Sequence, residues 1–391
     1  MTVDRHLPAI AVRMLPRDCE CCGGQIVESL WRYVVDVRTR SGLTRFDVNI
    51  VVCRDCGFVF VAPVFDPTDL TRYYASAFSV FAGQAVDYDV GLRLSFLVAF
   101  TSTGSVLVEI GPNHDTEFQQ ALRKRFSKVV TVEPNDSVDR THAVINTVPD
   151  AFADVVTHYF VLEHVPTIST FLDHCHRILK PDGVMICEVP DISLYPINPV
   201  ALQLYEHTNH FSRSALRYCC ARAGFVPLAE AEAASRTFGF AMAFRKSSAP
   251  VYAARPDEYL ANRTYVLKGL EKLQERETAF QEAKQLLLTY RERGTLAVLW
   301  AANDVMAEFL RRYPQPPTIV IIDTNPAKRS FLDGYCVMTP MDAQDAIREA
   351  SAIFLFTRNH AADILESIET EVGKRFDGDK IHVVDLLSTK E

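Results

Sequence analysis

Apolar and polar positions change their period along the chain. Residues 30–38 (LWRYVVDVR) and 46–53 (FDVNIVVC) are rich in β-branched and aromatic residues, which predicts two strands able to pair as a hairpin. A tyrosine- and serine-rich stretch, 70–79 (LTRYYASAFS), follows, and 86–100 reads as a helix. From residue 105, short apolar runs alternate with segments of helical spacing. SVLVEIG (105–111), KVVTVEP (128–134), HAVINTV (142–148), ADVVTHYFVLEHV (153–165) and VMICEVP (184–190) read as buried strands. Segments 116–126, 168–180 and 212–223 read as helices, and 225–245 as two final strands. Such alternation predicts a mainly parallel sheet covered on both faces. The charged segment 256–293 predicts one or two long helices. Beyond it, TLAVLWA (295–301), PTIVIID (317–323), AIFLFT (352–357) and KIHVVDL (380–386) predict a second, smaller open α/β unit. The expected division is 1–69, 70–248 and 249–391.

Composition narrows the function. Of 391 residues, 48% are apolar and 23% charged, enough to build a core in each domain. The formal net charge of −8 argues against a nucleic-acid backbone as partner. No stretch approaches the ~20 apolar residues needed to span a bilayer, so no membrane segment is expected. The N-terminus carries Asp4 and Arg13 and lacks the apolar core of a signal peptide. The expected compartment is the cytoplasm.

Five of the ten cysteines fall within residues 19–56. They form Cys19-x-x-Cys22 and Cys53-x-x-Cys56, with Cys21 as an extra, and Gly23 and Gly57 follow the two pairs. A glycine there lets the backbone turn so that amide N–H groups face the thiolates. Two such knuckles supply the four sulfurs of a tetrahedral structural zinc, with Cys19, Cys22, Cys53 and Cys56 as ligands. The hairpin predicted between the pairs brings them together. Cys21 is a possible substitute for Cys19, but the x-x spacing favours Cys19. The remaining cysteines (175, 187, 219, 220, 336) sit in apolar settings and read as core residues in a reducing compartment.

Ligands of open parallel sheets sit beyond the carboxyl ends of the strands. Glu109-Ile110-Gly111-Pro112-Asn113 lies at such an end, and Glu133 ends the next strand, where an acid commonly grips ribose hydroxyls. Together with VLVEIG, VEP, ADVVTHYFVLEHV and HRILKPDGVMICEVP, this order of segments makes 105–245 resemble the class I S-adenosylmethionine (SAM) methyltransferases. The resemblance implies a Rossmann-like core and SAM as cofactor, held by Glu109, Gly111, Asn113, Glu133 and Tyr159. Asp115 stands near the place where that family usually has a second glycine, and the segment from 134 to 153 is short.

The whole chain resembles a narrower family. CCGG, VVCRDCGFVF, RYYASAFS, EVPDISLYPINPVALQLYEHTNHFS and IIDTNPAKRSFLDGYCVMTP are similar to segments of the sugar C-methyltransferases, which act on nucleotide-linked 4-keto-deoxysugars. The resemblance implies a four-cysteine zinc module, a SAM-binding core and a second Rossmann-like domain that closes over the nucleotide end of the substrate. It also implies a chemistry. A carbon beside a keto group loses a proton to a base, and histidine has a suitable pKa. Donors aimed at the enolate oxygen stabilise it. By resemblance His207 is the base, Glu206 orients its ring, and His164 and Tyr74 contact the keto group or sugar hydroxyls. His210 and Tyr73 are neighbouring alternatives. His174 and His176 read as surface or packing residues. Leu204 stands where the family often has a tyrosine, with Tyr205 beside it.

The C-terminal unit lacks a dinucleotide fingerprint. Its first turn, Ala301-Ala302-Asn303-Asp304, contains no glycine to admit a pyrophosphate. Lys328 and Arg329 are candidates to meet a diphosphate. Two other readings remain: an O- or N-methyltransferase acting on a sugar or other small metabolite, and a non-catalytic relative that binds a nucleotide sugar.

Overall fold

A computed structural model describes residues 10–39, 42–76, 89–112, 116–135, 140–232, 238–316, 319–330, 332, 334–357 and 360–384. The chain divides into two compact units, Met1–Lys268 and Gly269–Glu391. Among the described residues, no helix is long and apolar enough to cross a membrane.

The first unit opens with β1 (Ile10–Ala11), β2 (Met14–Leu15), β3 (Val27–Thr39), β4 (Gly42–Cys53), β5 (Val59–Val61) and β6 (Val64–Phe65). β3 and β4 form the expected antiparallel hairpin, longer than expected, in register from Val27↔Cys53 to Thr39↔Gly42. Alternation along β4 buries Phe46, Val48, Ile50 and Val52. β5 pairs with β4 on one side. After β6 come α1 (Pro67–Ser76) and α2 (Val90–Val98), the latter capped by the Asp89 carboxylate, which accepts from the Leu92 amide.

The core then runs β7 (Val106–Ile110), α3 (Thr116–Arg125), β8 (Lys128–Val132), β9 (Ala153–Tyr159), α4 (Ile168–Ile178), β10 (Leu179–Pro190), α5 (Val200–Gln203), β11 (Asn209–His210), α6 (Arg213–Arg222), β12 (Phe225–Glu232) and β13 (Gly239–Lys246). Its six-stranded sheet has the order β12-β13-β10-β9-β7-β8. The last four strands in this order are parallel, while β13 runs antiparallel to β10 and β12 antiparallel to β13. A parallel sheet ending in an antiparallel hairpin is the class I methyltransferase core that the sequence leads one to expect. α4 covers one face with Ile168, Phe171, Leu172, Cys175 and Ile178, spaced as one helical stripe. It stops two residues earlier than expected, because Lys180 precedes Pro181 and is biased out of helical geometry.

The strand expected at 142–148 is not formed. A single parallel bridge joins Val132 and His142, and Ile145–Thr147 make a 3₁₀ turn. Only 20 residues (133–152) separate β8 from β9. A parallel crossover takes a dozen or more of them before any strand is added.

β11 does not belong to this sheet. It pairs antiparallel with β5, Asn209↔Phe60 and His210↔Val59, and the Val61 amide donates to the Thr208 carbonyl at 2.9 Å. The segment 208–210 is thus the outer strand of the N-terminal sheet. The long helix α7 (Tyr259–Glu292) is a single helix over the expected 256–293 segment. Its root is fixed at the second cysteine knuckle: the Glu258 amide donates to the Cys56 carbonyl at 3.2 Å, and Asn262 Nδ2 to the Gly57 carbonyl at 3.0 Å. A Cβ on Gly57 would lie 2.3 Å from the Glu258 carbonyl carbon, so only glycine fits.

The second unit contains β14 (Ala297–Trp300), α8 (Asp304–Arg312), β15 (Val320–Ile322), β16 (Val337–Met338), α9 (Gln344–Glu349), β17 (Ala352–Leu355), α10 (Ala361–Val372) and β18 (Ile381–Val383). All five strands are parallel, in the order β16-β15-β14-β17-β18. At the turn after β14 the Asp323 carboxylate accepts from the Ala302 amide at 2.9 Å and from Lys328 Nζ at 3.2 Å. Arg329 is paired with Asp342 at 2.7 Å. Both candidate diphosphate contacts therefore already face carboxylates.

His158 on β9 is fully buried against the edge of Phe171, and burial pushes its imidazole down to about 3. The unfolded chain takes up that proton near 6.5, the folded chain only near 3. Acidification between these values therefore favours unfolding by about 1.4 kcal/mol per pH unit. Urea unfolding at pH 6.5 and pH 5 is expected to show wild type losing about 2 kcal/mol more than His158→Leu. Equal losses would show that this imidazole carries no such linkage.

Candidate functional site

The two cysteine knuckles close against each other. Cys19 Sγ lies 3.6 Å from Cys56 Sγ, and Cys22 Sγ 3.6 Å from Cys53 Sγ. All four sulfurs fall within 4.8 Å of one another. Ligands about 2.3 Å from a tetrahedral zinc would be about 3.8 Å apart, so the cluster fits a structural ion. Gly23 and Gly57 adopt φ values of 78° and 81°. The turns they make aim the Gly24 amide at Cys22 Sγ (3.4 Å) and the Phe58 amide at Cys56 Sγ (3.5 Å). Cys21 is buried in the adjoining apolar core, outside the converging four.

The knuckles also place the histidines. β5 begins two residues after Gly57 and carries 208–210 along its edge. Arg17, just before Cys19, donates to the Thr208 carbonyl (3.2 Å) and to Asn209 Oδ1 (2.6 Å), with its guanidinium over the Phe60 ring. Asn209 Nδ2 in turn bonds the carbonyls of Leu162 (3.0 Å) and Val165 (2.7 Å). Thr208 Oγ1 bonds the Glu163 carbonyl at 3.2 Å. The turn bearing Glu163 and His164, at the carboxyl end of β9, is thereby clamped to the segment bearing Glu206 and His207.

Around this clamp the candidate residues converge. The His164 and His207 ring centroids are 4.7 Å apart, edge to face. His164 Nδ1 is 3.3 Å from the Tyr74 hydroxyl and 3.8 Å from Glu206 Oε2. The Tyr73 hydroxyl donates to Glu206 Oε1 at 2.6 Å and lies 2.5 Å from the Tyr205 hydroxyl. Glu206 therefore does not orient His207 by a hydrogen bond. Its bonds go to tyrosines because α1 brings Tyr73 over it, while its other oxygen faces His164. Tyr205 places a hydroxyl in the cluster although Leu204 holds the position expected for one. His210, the alternative base, is held at Nδ1 by the Tyr195 hydroxyl at 2.6 Å.

Burial sets the charges here. It raises the Glu206 carboxyl, against the hydrogen bonds of Tyr73 and Tyr205 that lower it. It pulls His164 down to about 4, and His207 well below the usual histidine range, with His164 and His210 adding to the latter shift. His207 is therefore a neutral imidazole at neutral pH, and its Nδ1 has no hydrogen-bond partner among the described residues.

The cofactor candidates line the carboxyl ends of β7 and β8. Gly111 turns the chain at φ 67°, where a Cβ would lie 2.5 Å from Val161 Cγ2. Glu133 is half-buried and accepts from the Asn135 amide at 2.9 Å, and burial raises its carboxyl. Glu109 is buried and bonded to Gln119. Tyr159 lies on the face of the sheet covered by α2 and α3, 5.6 Å from Phe118, with the Arg93 guanidinium 4.3 Å above its ring. Asn113 and Asp115 lie outside the described residues. Sequence reasoning passed over Arg17, Asn209 and Glu163. The acid of Glu163 inside the apolar run VLEHV was the available signal.

A family model described as a methyltransferase domain matches residues 84–230. The chain carries a SAM-dependent methyltransferase domain. Over 194 residues it is 26% identical to a protein named C-methyltransferase NovU from Streptomyces niveus, a match covering 45% of this chain and 46% of that one. Over 78 residues it is 33% identical to a probable SAM-dependent methyltransferase from Mycolicibacterium smegmatis, covering 20% and 30% respectively. The chain thus spans less than half the length of these curated relatives. A solved SAM-dependent methyltransferase from Mesorhizobium loti aligns with 41% of the chain and all of its own, at 12% identity and a TM-score of 0.34.

Removing one ligand from the knuckles tests the metal. Cys53→Ser is expected to lower zinc from near one ion per chain to near none and to reduce the thermal midpoint. The binding free energy of such an ion, about 10–16 kcal/mol in small zinc peptides, is coupled to folding. Unchanged zinc content by elemental analysis would show that these cysteines do not hold the ion.

Proposed function

We propose that this methyltransferase domain methylates a carbon acid, and that its substrate is a nucleotide-linked 4-keto-deoxysugar. The observation that carries the reading is the cluster of His207, His164, Glu206, Tyr73 and Tyr74 where the β9 turn meets the β5–β11 edge. Methyl transfer to oxygen or nitrogen needs at most a base. Transfer to carbon needs a base and a polar surround for an enolate oxygen, and the cluster offers both.

His207, neutral at neutral pH, takes the proton from the carbon beside the keto group, and the electron pair moves onto the keto oxygen. Tyr74 and His164 donate to that oxygen. Glu206, fixed by Tyr73 and Tyr205, balances the positive charge that builds on the imidazoles. Bound SAM supplies the electrophilic methyl group. Gly111, Glu109 and Glu133, with Asn113 and Tyr159, are the residues proposed to hold it, Glu133 by the ribose hydroxyls. The four-cysteine cluster holds a structural zinc with no position left for catalysis. The name of the Streptomyces niveus relative, a C-methyltransferase, supports carbon as the acceptor.

Calorimetric titration is expected to show saturable SAM binding, weakened about tenfold to hundredfold in Glu133→Gln, which loses a charged hydrogen-bond partner. With a keto-deoxysugar nucleotide, wild type is expected to yield a product whose new methyl is bonded to carbon by NMR. His207→Ala should retain SAM affinity and lose turnover by at least about a hundredfold. A methyl on oxygen or nitrogen, or full turnover in His207→Ala, would overturn the carbon-acid reading.

A further inference from the structure

The same cluster also holds buried groups that have no hydrogen-bond partner among the described residues. Glu163 is fully buried, and among the described residues neither of its carboxyl oxygens has a hydrogen-bond partner. His207 is 3% exposed, and its Nδ1 is equally unpartnered. His164 Nε2 is 3.9 Å from Glu163 Oε1. One ligand atom from each of Glu163, His164 and His207 lies within 4.8 Å of the other two.

Native interiors rarely leave a carboxyl group bare. Ionised, Glu163 is an uncompensated charge; protonated, it is a donor with no acceptor. A cation between the three residues removes both problems. Two imidazoles and one carboxylate form a ligand set for a borderline divalent ion such as Zn²⁺ or Co²⁺, with positions left open. The surroundings fit as well. A metal-bound imidazole usually hands its other nitrogen to a polar partner. Here His164 Nδ1 faces the Tyr74 hydroxyl and Glu206 Oε2 while Nε2 points towards Glu163. The Thr208 and Asn209 bonds to the 162–165 turn fix the spacing between the two halves of the set.

We propose that Glu163, His164 and His207 form a divalent-cation site separate from the four-cysteine cluster. An ion bound there takes a lone pair of His207. Occupancy and proton uptake by that imidazole then exclude each other, and excess cation inhibits turnover.

Cobalt(II) chloride is the probe, added by equilibrium dialysis to the full chain already holding one zinc, without SAM or sugar. Binding is thus read independently of any methyl transfer. The expected result is one additional cobalt per chain, with weak visible bands, no thiolate charge-transfer band and zinc retained. Glu163→Gln, which preserves shape, should weaken that uptake by at least about tenfold. His164→Ala should do the same, and it decides the matter if the first variant does not fold. No cobalt beyond zinc exchange, or extra cobalt whose affinity is unchanged in the folded variants, overturns the proposal.

Discussion

The pairing of β5 with β11 is the contact on which the candidate site depends. Three residues after a cysteine knuckle form one side of it, and the two residues that follow Thr208 form the other. His207 and Glu206 sit at the end of this short ladder. Their positions are therefore set by a cysteine-bearing turn some 150 residues earlier in the chain. A two-residue ladder is weak by itself. Arg17 strengthens it by bonding across to Thr208 and Asn209 from beside Cys19. A closed four-sulfur cluster thus acts as a rigid foundation for a reaction in which it takes no chemical part.

The sequence made the large features legible because each rests on local chemistry. Cysteine spacing followed by glycine pointed to the knuckles, and the β-rich stretch between them to the hairpin that joins them. Strand–helix alternation foretold a parallel core. The reading failed where the outcome depended on space or on distant partners. HAVINTV has the composition of a strand, but the chain around it is too short to return to the sheet. Glu206 stands next to His207 in sequence, and the family resemblance implied that it orients the imidazole. In three dimensions α1 places Tyr73 on that carboxylate, and the imidazole finds His164 instead. Arg93, paired with Glu188 and itself buried, stacks over the ring of Tyr159, a contact between distant segments that no local pattern announces.

The site concentrates polar groups where a core would be apolar. Glu163, Glu206, His207, Thr208, Asn209 and His210 are all buried; Glu206, Thr208, Asn209 and His210 are hydrogen-bonded to the surrounding tyrosines and to the 162–165 turn. Such a network fixes side-chain positions more tightly than packing alone, and it is costly when one member loses its partner. The arrangement favours a site whose geometry is set before substrate arrives, as orientation-dependent methyl transfer requires.

The position of β5 has a consequence for biosynthesis. The four cysteines and both strands of their hairpin are complete once residue 61 has left the ribosome, so this sheet can form early. Its outer strand then stays open until residues 209 and 210 emerge. At translation rates of about 5–20 residues per second this interval is roughly 7 to 30 s. Throughout it, the nascent chain presents an unpaired, wholly apolar edge, Val59-Phe60-Val61, of the kind that recruits other strands. The strand that finally protects this edge is the one that delivers the histidines, so completion of the fold and assembly of the site are a single late event.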